Sequence, residues 1–521
     1  MHIRNLTRAA ALRSGWATAI AAGAFAGSAN AQIFIDNQSA IPSGNPANNS
    51  YSENVDFGDV DLDGDWDAVF ADGGDNGNDQ NRIWMNRGGL QGGPIGSFVD
   101  ETGARFPSVQ DDSRDIEFAD IDNDGDLDIY VSNTAQITNQ GNKWWVNDGG
   151  TQGGTLGFYT DETAARWIGL GNSNSSIPNS ALIGGTFIDW SCDCDFGDLD
   201  NDGDLDLVHS SYGGAFSGNV PTRLFLNDGN GFFEEFNPSG FTLSGNNINN
   251  GNPALWCEGT QSSNTTNSNG SFADIASSAL DIDLGDTDGD FDLDILHGAR
   301  QELPRFFENR LEENGGVLGF RDVTGSVFPS GYSSGDGHYE QEMGDLDGDG
   351  DLDIYGLNWD AGGFNFDDLT FRNNGNGNFT TIQTLSNSGD DDNEGDFFDY
   401  NNDGNLDLFV ANFSGRSKLY EGTGSGTLNY INSSTSGMGN VSNFVALDAD
   451  ACDVDFDGDY DVLQSNDNGS RNQLFENTTN IPDTHAPYLP NLEDPGTVTA
   501  APGTIAVRAQ VYDNAPYYIT W

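Results

Sequence analysis

The sequence predicts an all-β fold, a seven-bladed β-propeller closed by its N-terminal strand and followed by a short C-terminal β segment. Three observations predict it. An acidic motif recurs seven times, each copy sits among four short strand-like runs, and the last repeat lacks a fourth strand that the start of the chain can supply. The motif is first met at residues 57–70, "FGDVDLDGDWDAVF", and its leading aspartates stand at 59, 120, 198, 286, 345, 399 and 453. A recurrence of that length marks one supersecondary unit per repeat.

The chain opens with Arg4, Arg8 and Arg13, an apolar run at 16–25, and small residues at Ala29 and Ala31. That order is the pattern of a secretory signal peptide, so residues 1–31 are expected to be removed. The product is expected to be secreted, extracellular or at the cell surface, or periplasmic. The apolar run is far shorter than the ~20 residues that cross a bilayer, so no membrane insertion is expected.

After the leader, "IFIDNQSAIPSG" matches the fourth-strand segments "SFVDETGARFPS" and "GFRDVTGSVFPSG". It is therefore expected to complete the seventh blade, which otherwise ends after "DVLQS" and "NQLFENT". Closing the ring removes the exposed strand edges that an open array would leave. Within each unit the first strand is a short alternating segment such as "RDIEFAD", and the second a β-branched and aromatic run such as "LDIYVSN". The third is of the type "KWWVNDG" or "RLFLNDG", and a Gly-rich turn leads to the fourth.

Two insertions lengthen the series, at about 166–180 and 237–271, and both read as polar surface excursions. The propeller is expected over residues 32–480, a proline-bearing linker over 481–487, and a partial β-sandwich-like segment over 488–521.

Composition narrows the partners. With 83 Asp and Glu against 19 Lys and Arg, the formal net charge is −64. A nucleic acid would lack the basic footprint its phosphates require, and an anionic membrane would be repelled. Metal cations are the natural partners. A hydrophobic content of 36% and an aromatic content of 11% exceed what a disordered acidic chain carries. The four cysteines, Cys192, Cys194, Cys257 and Cys452, are compatible with one or two disulfides in an oxidising compartment, though not between the closely spaced Cys192 and Cys194.

The motif reads DxDxDGDxD. Carboxylates crowded in this way repel, each close pair by ~4 kcal/mol at 4 Å and an effective dielectric near 20. A counter-charge is needed, and the spacing supplies the oxygen ligands of a calcium loop: side chains at positions 1, 3 and 5, a turn glycine at 6, a carbonyl at 7 and a further group at 9. Magnesium fits an all-protein cage less well because it retains waters. An EF-hand would need Glu at position 12 and flanking helices, whereas position 12 is Phe70, Val131 or His209 inside strand-like runs. The GGxGxD nonapeptide of calcium-binding β-helices is absent.

The seven units resemble the FG-GAP/VCBS-type repeats of integrin-α-like β-propellers, on the strength of "GDVDLDGDWD" and its six relatives. The resemblance implies a seven-bladed propeller that binds about seven Ca²⁺ ions, one in each loop between first and second strands, and that serves an adhesive, ligand-binding or structural role. Carried across, the first site is Asp59, Asp61, Asp63 and Asp67, with Asp65 lending its carbonyl. The second and third are Asp120, Asp122, Asp124, Asp126 and Asp128, then Asp198, Asp200, Asp202, Asp204 and Asp206. The fourth and fifth are Asp286, Asp288, Asp290, Asp292 and Asp294, then Asp345, Asp347, Asp349, Asp351 and Asp353. The sixth and seventh are Asp399, Asn401, Asp403, Asn405 and Asp407, then Asp453, Asp455, Asp457, Asp459 and Asp461. The fourth loop departs most, with Gly289 at position 4 and Phe291 where the turn glycine belongs, so it is expected to bend elsewhere. The sixth carries two asparagines, which lowers its charge and its expected affinity.

A second acidic pattern precedes the loops: Asp56, Glu117, Asp195, Asp283, Glu342, Asp396 and Asp450 three residues before each leading Asp, and Asn54, Asp115, Asp193, Asp281, Glu340, Glu394 and Asp448 two residues further back. Period two places both on one face of the first strand, which lines a propeller's channel. Two roles are open to them: holding further cations, or hydrogen-bonding neighbouring blades.

Two classes of function remain. One is a calcium-bound module that engages a protein or glycan, without catalysis. The other is an extracellular polysaccharide lyase or hydrolase on the same scaffold, which no nucleophile motif supports. His209 and His297 occupy equivalent strand positions, which points to packing, and Trp84, Trp144 and Trp145 fall in third strands, where blade core is expected.

Overall fold

The computed structural model describes residues 32–74, 77–134, 141–168, 191–210, 222–236, 238, 256–258, 279–299, 304–329, 339–357, 367–438, 444–493 and 507–512. The leader at 1–31 and most of both insertions lie outside the described residues.

Seven antiparallel sheets form the blades. Blade 1 is Ser52–Gly58, Asp67–Asp72, Arg82–Asn86 and Phe98–Asp100, hydrogen-bonded in that order. Blade 2 begins with Ser113–Ala119, blade 3 with Cys194–Gly197, blade 4 with Ala279–Gly285, blade 5 with Glu340–Gly344 and blade 6 with Asp392–Phe398. Blade 7 holds Ala446–Cys452, Asp461–Asn466 and Gln473–Asn477, and its outermost strand is Phe34–Asp36 from the other end of the chain. Phe34 pairs with Asn477 and Asp36 with Phe475, as the matched segments predict. First strands neighbour one another from blade 1 round to blade 7 and back to blade 1, so the ring is closed.

The core is divided by blade. Seven apolar clusters lie one between each pair of neighbouring blades. Second strands are covered on both faces: all six residues of Asp67–Asp72 and of Asp128–Asn133 are buried. This is why those strands read as near-continuous apolar runs rather than alternating ones. Trp84, Trp144 and Trp145 are fully buried blade core. His209 and His297 are buried as well, the first against Tyr130 Oη at 2.9 Å and the second against Thr222 Oγ1 at 2.8 Å, which bears out the packing role.

Glycine before position 1 has a packing cause. A Cβ at Gly58 would stand 2.8 Å from Leu127 Cδ1, and one at Gly285 would stand 2.6 Å from Leu352 Cδ1. Both leucines occupy position 8 of the next blade's loop. At these copies the glycine before position 1 stands where adjacent blades approach too closely for a side chain, whereas copies 2, 6 and 7 carry Ala119, Phe398 and Cys452 there.

Two expectations need correcting. All four cysteines are buried and none is in a disulfide, and Cys194 Sγ donates to Asp115 Oδ2 at 3.0 Å. Pairing fails because they serve as small apolar residues in separate parts of the core. Trp256 and Cys257 do not lie in a surface excursion: both are buried, and Cys257–Glu258 adds a fifth strand, parallel to Phe320–Asp322, to blade 4. The Trp256 ring packs 4.9 Å from Phe307, and its Nε1 donates to the Thr222 carbonyl at 3.0 Å. Apolar area decided the placement over polar composition.

Candidate metal loops

Every loop is organised by its first aspartate. In loop 1, Asp59 Oδ1 accepts the N–H of Asp63 at 3.0 Å and Oδ2 that of Gly64 at 3.1 Å. The same pair of bonds, from positions 5 and 6, is made by Asp120, Asp198, Asp286, Asp345, Asp399 and Asp453. The chain can turn this tightly because positions 4 and 6 are both left-handed, as with Leu62 at φ 53° and Gly64 at φ 94°. Position 4 is Asn123, Asn201 and Asn402 in three loops, the non-glycine residue best suited to that conformation.

The fourth loop keeps the geometry. It bends where the others do, with Gly289 at φ 82° and Phe291 itself left-handed at φ 70°. Glycine at position 4 relieves the turn on one side, while Phe291 takes the strained place. The expectation that this loop bends elsewhere is therefore corrected.

Oxygens converge inside these turns. Carboxylate oxygens lie within 4.8 Å of one another for Asp59, Asp61 and Asp63; for Asp120, Asp122 and Asp124; and for Asp286, Asp288 and Asp290. In loops 3 and 5 the convergent groups are Asp198, Asp200 and Asp206, and Asp345, Asp347 and Asp353, so position 9 joins the cluster. Burial, followed by the neighbouring aspartates, pushes the carboxyl at position 1 up to about 6 in Asp59, against the two N–H bonds that it accepts. Asp126 is pushed to about 8 by burial and by the charge of Asp124.

The donor set fits a hard cation. At position 3 one oxygen meets an arginine while the other is buried with no hydrogen-bond partner. Arg105 Nη2 lies 3.3 Å from Asp61 Oδ2 while Oδ1 is orphaned, and Arg166 Nη1 lies 3.7 Å from Asp122 Oδ2 while Oδ1 is orphaned. Arg372 makes the same pairing with Asp347, whose Oδ1 is orphaned too. At position 9, Asp67 Oδ1 accepts the Asn86 N–H at 2.7 Å and Asp128 Oδ1 the Asn147 N–H at 2.7 Å, while both Oδ2 atoms are buried without partners. Buried oxygens left in this state each cost ~1–3 kcal/mol unless a ligand takes them. Positions 1, 3, 5 and 9 are where the spacing puts the ligands of a calcium loop.

Position 7 brings a carboxylate beside the carbonyl that the resemblance assigns to it. The side-chain oxygens of Asp65 and Asp126 are buried without hydrogen-bond partners among the described residues, beneath the turn between third and fourth strands. A Cβ at Gly88 would stand 2.2 Å from Asp65 Oδ2, and one at Gly149 would stand 2.3 Å from Asp126 Oδ2. That turn also sends Gln91 and Gln152 back to Asp61 and Asp122, at 3.0 and 2.7 Å. In loop 6, Asn401 donates to Asp407 Oδ2 at 3.4 Å and Asn405 to Asp403 Oδ1 at 2.6 Å, so amides satisfy carboxylates inside the loop.

An asparagine ending the third strand joins each loop to the blade before it. Asn147 donates its N–H to Asp128 and its side-chain amide to the Val60 carbonyl of loop 1, at 3.1 Å. Asn86, Asn227, Asn309, Asn373 and Asn477 repeat the reach to the preceding loop at 2.6–3.0 Å. In blade 6, Gly422 replaces this asparagine, and the backbone N–H of Gly426 meets the Leu346 carbonyl instead. Motif reading missed these asparagines and the three arginines, which contact the candidate loops.

The acidic first strands brace the ring. Asp448 and Asp450 accept the N–H groups of Val55 and Phe57, and Asn54 and Asp56 those of Ile116 and Phe118, at 2.6–3.2 Å. Asp193 and Asp195 do the same for blade 4, and Asp281 and Asp283 for blade 5. Of the two roles open to them, the hydrogen-bonding one is observed. Arg114 adds a cation of the protein's own, donating to Glu53 at 2.7 Å and to Tyr339 Oη of blade 5 at 3.0 Å.

Burial, and then mutual repulsion, raises the carboxyls of Asp56, Glu117, Asp193, Asp281, Asp283, Glu340, Glu342, Asp396 and Asp448 well above the ordinary range. Burial likewise pushes Asp115 and Asp195 up to about 7. A carboxyl with a raised folded pKa binds more protons folded than unfolded, so its contribution to stability is lost as pH rises from its unfolded value through its folded one. In metal-free protein the urea midpoint is expected to fall between pH 4 and pH 8, mostly above pH 5. A flat profile would show these groups ionised and compensated.

A family model described as an FG-GAP-like repeat matches residues 59–131, 345–410 and 399–464. Blades 3 and 4 lie outside those stretches and fold as blades all the same. No curated protein matches the chain. Among solved structures, the chain is similar to BBS1N in complex with ARL6DN in a mercury-soaked crystal, at 9% identity and a TM-score of 0.43, covering 87% of this chain and 99% of that one. A lead-soaked crystal of the same complex aligns at 11% identity and a TM-score of 0.44, covering 87% and 98%.

Proposed function

We propose that this chain, a seven-bladed β-propeller built from FG-GAP-like repeats, is an exported calcium-binding module that engages a protein or glycan ligand and performs no catalysis. One observation carries the reading: in loops 1 and 2 the carboxylates at positions 1, 3 and 5 converge, and buried oxygens at positions 3 and 9 have no hydrogen-bond partner among the described residues. Asp59, Asp61, Asp63 and Asp67, and their counterparts in the other loops, would hold the ion. Calcium would supply the positive charge that lets these carboxylates ionise together, and through the asparagine that ends the third strand in every blade but the sixth it would tie one blade to the next.

The chain's own acidity favours such a role, and no helix among the described residues is long and apolar enough to cross a membrane. Export is supported by the order of charged, apolar and small residues at 1–31. Titration calorimetry of metal-stripped protein provides the test. Calcium is expected to bind at several sites and more tightly than magnesium, because the cage is built of protein oxygens. The Asp61→Ala/Asp63→Ala variant is expected to lose one site. Equal affinity for both ions, or no heat with either, would refute the assignment.

A further inference from the structure

The turn glycines at position 6, present in every loop but the fourth, differ in what covers them. A Cβ at Gly64, Gly125 or Gly203, in loops 1 to 3, would meet nothing within 4 Å among the described residues. In loops 5 to 7 the equivalent positions are covered. A Cβ at Gly350 would stand 2.7 Å from Pro490, one at Gly404 3.1 Å from His485, and one at Gly458 3.2 Å from Pro482. The covering residues all come from the C-terminal segment, which the sequence reads as a linker and a partial sandwich.

From blade 7 this segment runs across four consecutive loops. The Asp483 N–H donates to the Gly458 carbonyl at 3.2 Å, and Asn402 of loop 6 donates to the Ile481 carbonyl. The segment then forms a two-stranded ribbon, Tyr488–Leu492 with Ala509–Tyr512. Tyr512 Oη donates to the Gly350 carbonyl of loop 5 at 3.3 Å. On loop 4, Asn491 donates to the Gly289 carbonyl at 3.1 Å, Gln510 Nε2 to Asp286 Oδ2 at 2.9 Å, and Arg508 Nη1 to the Phe291 carbonyl at 3.0 Å. The Arg508 guanidinium also sits over the Phe291 ring at 5.3 Å and lies 3.6 Å from Asp292.

The acceptors are backbone carbonyls at positions 4 and 6 of the turns, together with the leading carboxylate of loop 4. They stand where they do only while the loops hold their left-handed turns. We infer that the metal-loop face of blades 4 to 7 is the docking surface for the chain's own C-terminal segment, and that metal in those loops governs whether the segment stays docked. The inference rests on the calcium reading above. It makes the departures in loop 4 intelligible: Gly289 leaves room for Asn491, and Phe291 provides the platform for Arg508. The described part of the segment does not reach the turn glycines of loops 1 to 3.

Arg508 is the one Lys or Arg after Arg471, so trypsin reports on the docked ribbon at a single bond. The experiment follows cleavage by mass spectrometry with calcium and after chelation, and counts bound calcium in the same samples. Cleavage at Arg508 is expected to be slow in calcium and to accelerate on chelation before any cut at the buried Arg82, Arg223 or Arg305 of the blades. In calcium, the Asn491→Ala/Gln510→Ala variant is expected to be cut about tenfold faster at Arg508 with unchanged calcium stoichiometry. Equal rates with and without bound calcium, release only together with cuts inside the blades, or a variant cut no faster than the parent would each overturn the docking proposal. Absence of bound calcium would instead refute the metal reading on which it rests.

Discussion

Removing calcium is expected to lower the melting temperature on the order of 10 °C, an effect that follows from linkage. A site held at a hundred times its dissociation constant adds ~2.7 kcal/mol to folding. Five such loops, those led by Asp59, Asp120, Asp198, Asp286 and Asp345, would together add roughly 13 kcal/mol, as much as the whole stability of an ordinary domain. The loss would not stay local, because Asn147 and its counterparts join each loop to the preceding blade. A thermal melt in calcium and in chelator is the measurement, and superimposed curves would contradict the prediction.

The closing strand is the second place where a small change should have a large effect. Phe34 is fully buried, with its ring 6.3 Å from Phe398 and 6.2 Å from Tyr400 of blade 6. The Phe34→Ala variant is expected to cost ~3–5 kcal/mol, the range for an aromatic removed from a packed core. Phe34→Asp should go further by burying a charge and detaching the strand. Gln473–Asn477 would then become a bare sheet edge, so self-association is expected beside the lower stability. Urea denaturation and size-exclusion chromatography of both variants would check this. An alanine variant within about 1 kcal/mol of the parent would mean that the ring is closed by something else.

Blade number, strand order within a blade and the displaced closing strand were all legible in the sequence, because each follows from a motif repeated within one unit. So were the convergent aspartates at positions 1, 3, 5 and 9, since their spacing is local. Contacts that join units were not legible. Arg105 reaches Asp61 from beyond the fourth strand, Asn86 meets Val454 across the closure of the ring, and Arg114 of blade 2 meets Tyr339 of blade 5. A signal for the asparagines was present, as "KWWVNDG", "RLFLNDG" and "QLFENTT" all carry one at the same place. The left-handed position 4 was visible too, in the "NDG" of three loops. The run of the C-terminal segment across four loops had no sequence signal, because it depends on where the ring places those loops. The acids of the first strands show the same limit: periodicity placed them on the channel face, and only the neighbouring blade's N–H groups showed what they bind.

The claim on which the account depends is that the acidic loops hold calcium. Anomalous scattering from a calcium-soaked crystal tests it most directly. Peaks are expected inside the turns led by Asp59, Asp120, Asp198, Asp286 and Asp345, where the carboxylates converge, with none at the first-strand acids expected to face the channel, Asp56, Glu117 and Asp195. Loops without peaks, or peaks confined to the channel, would contradict it.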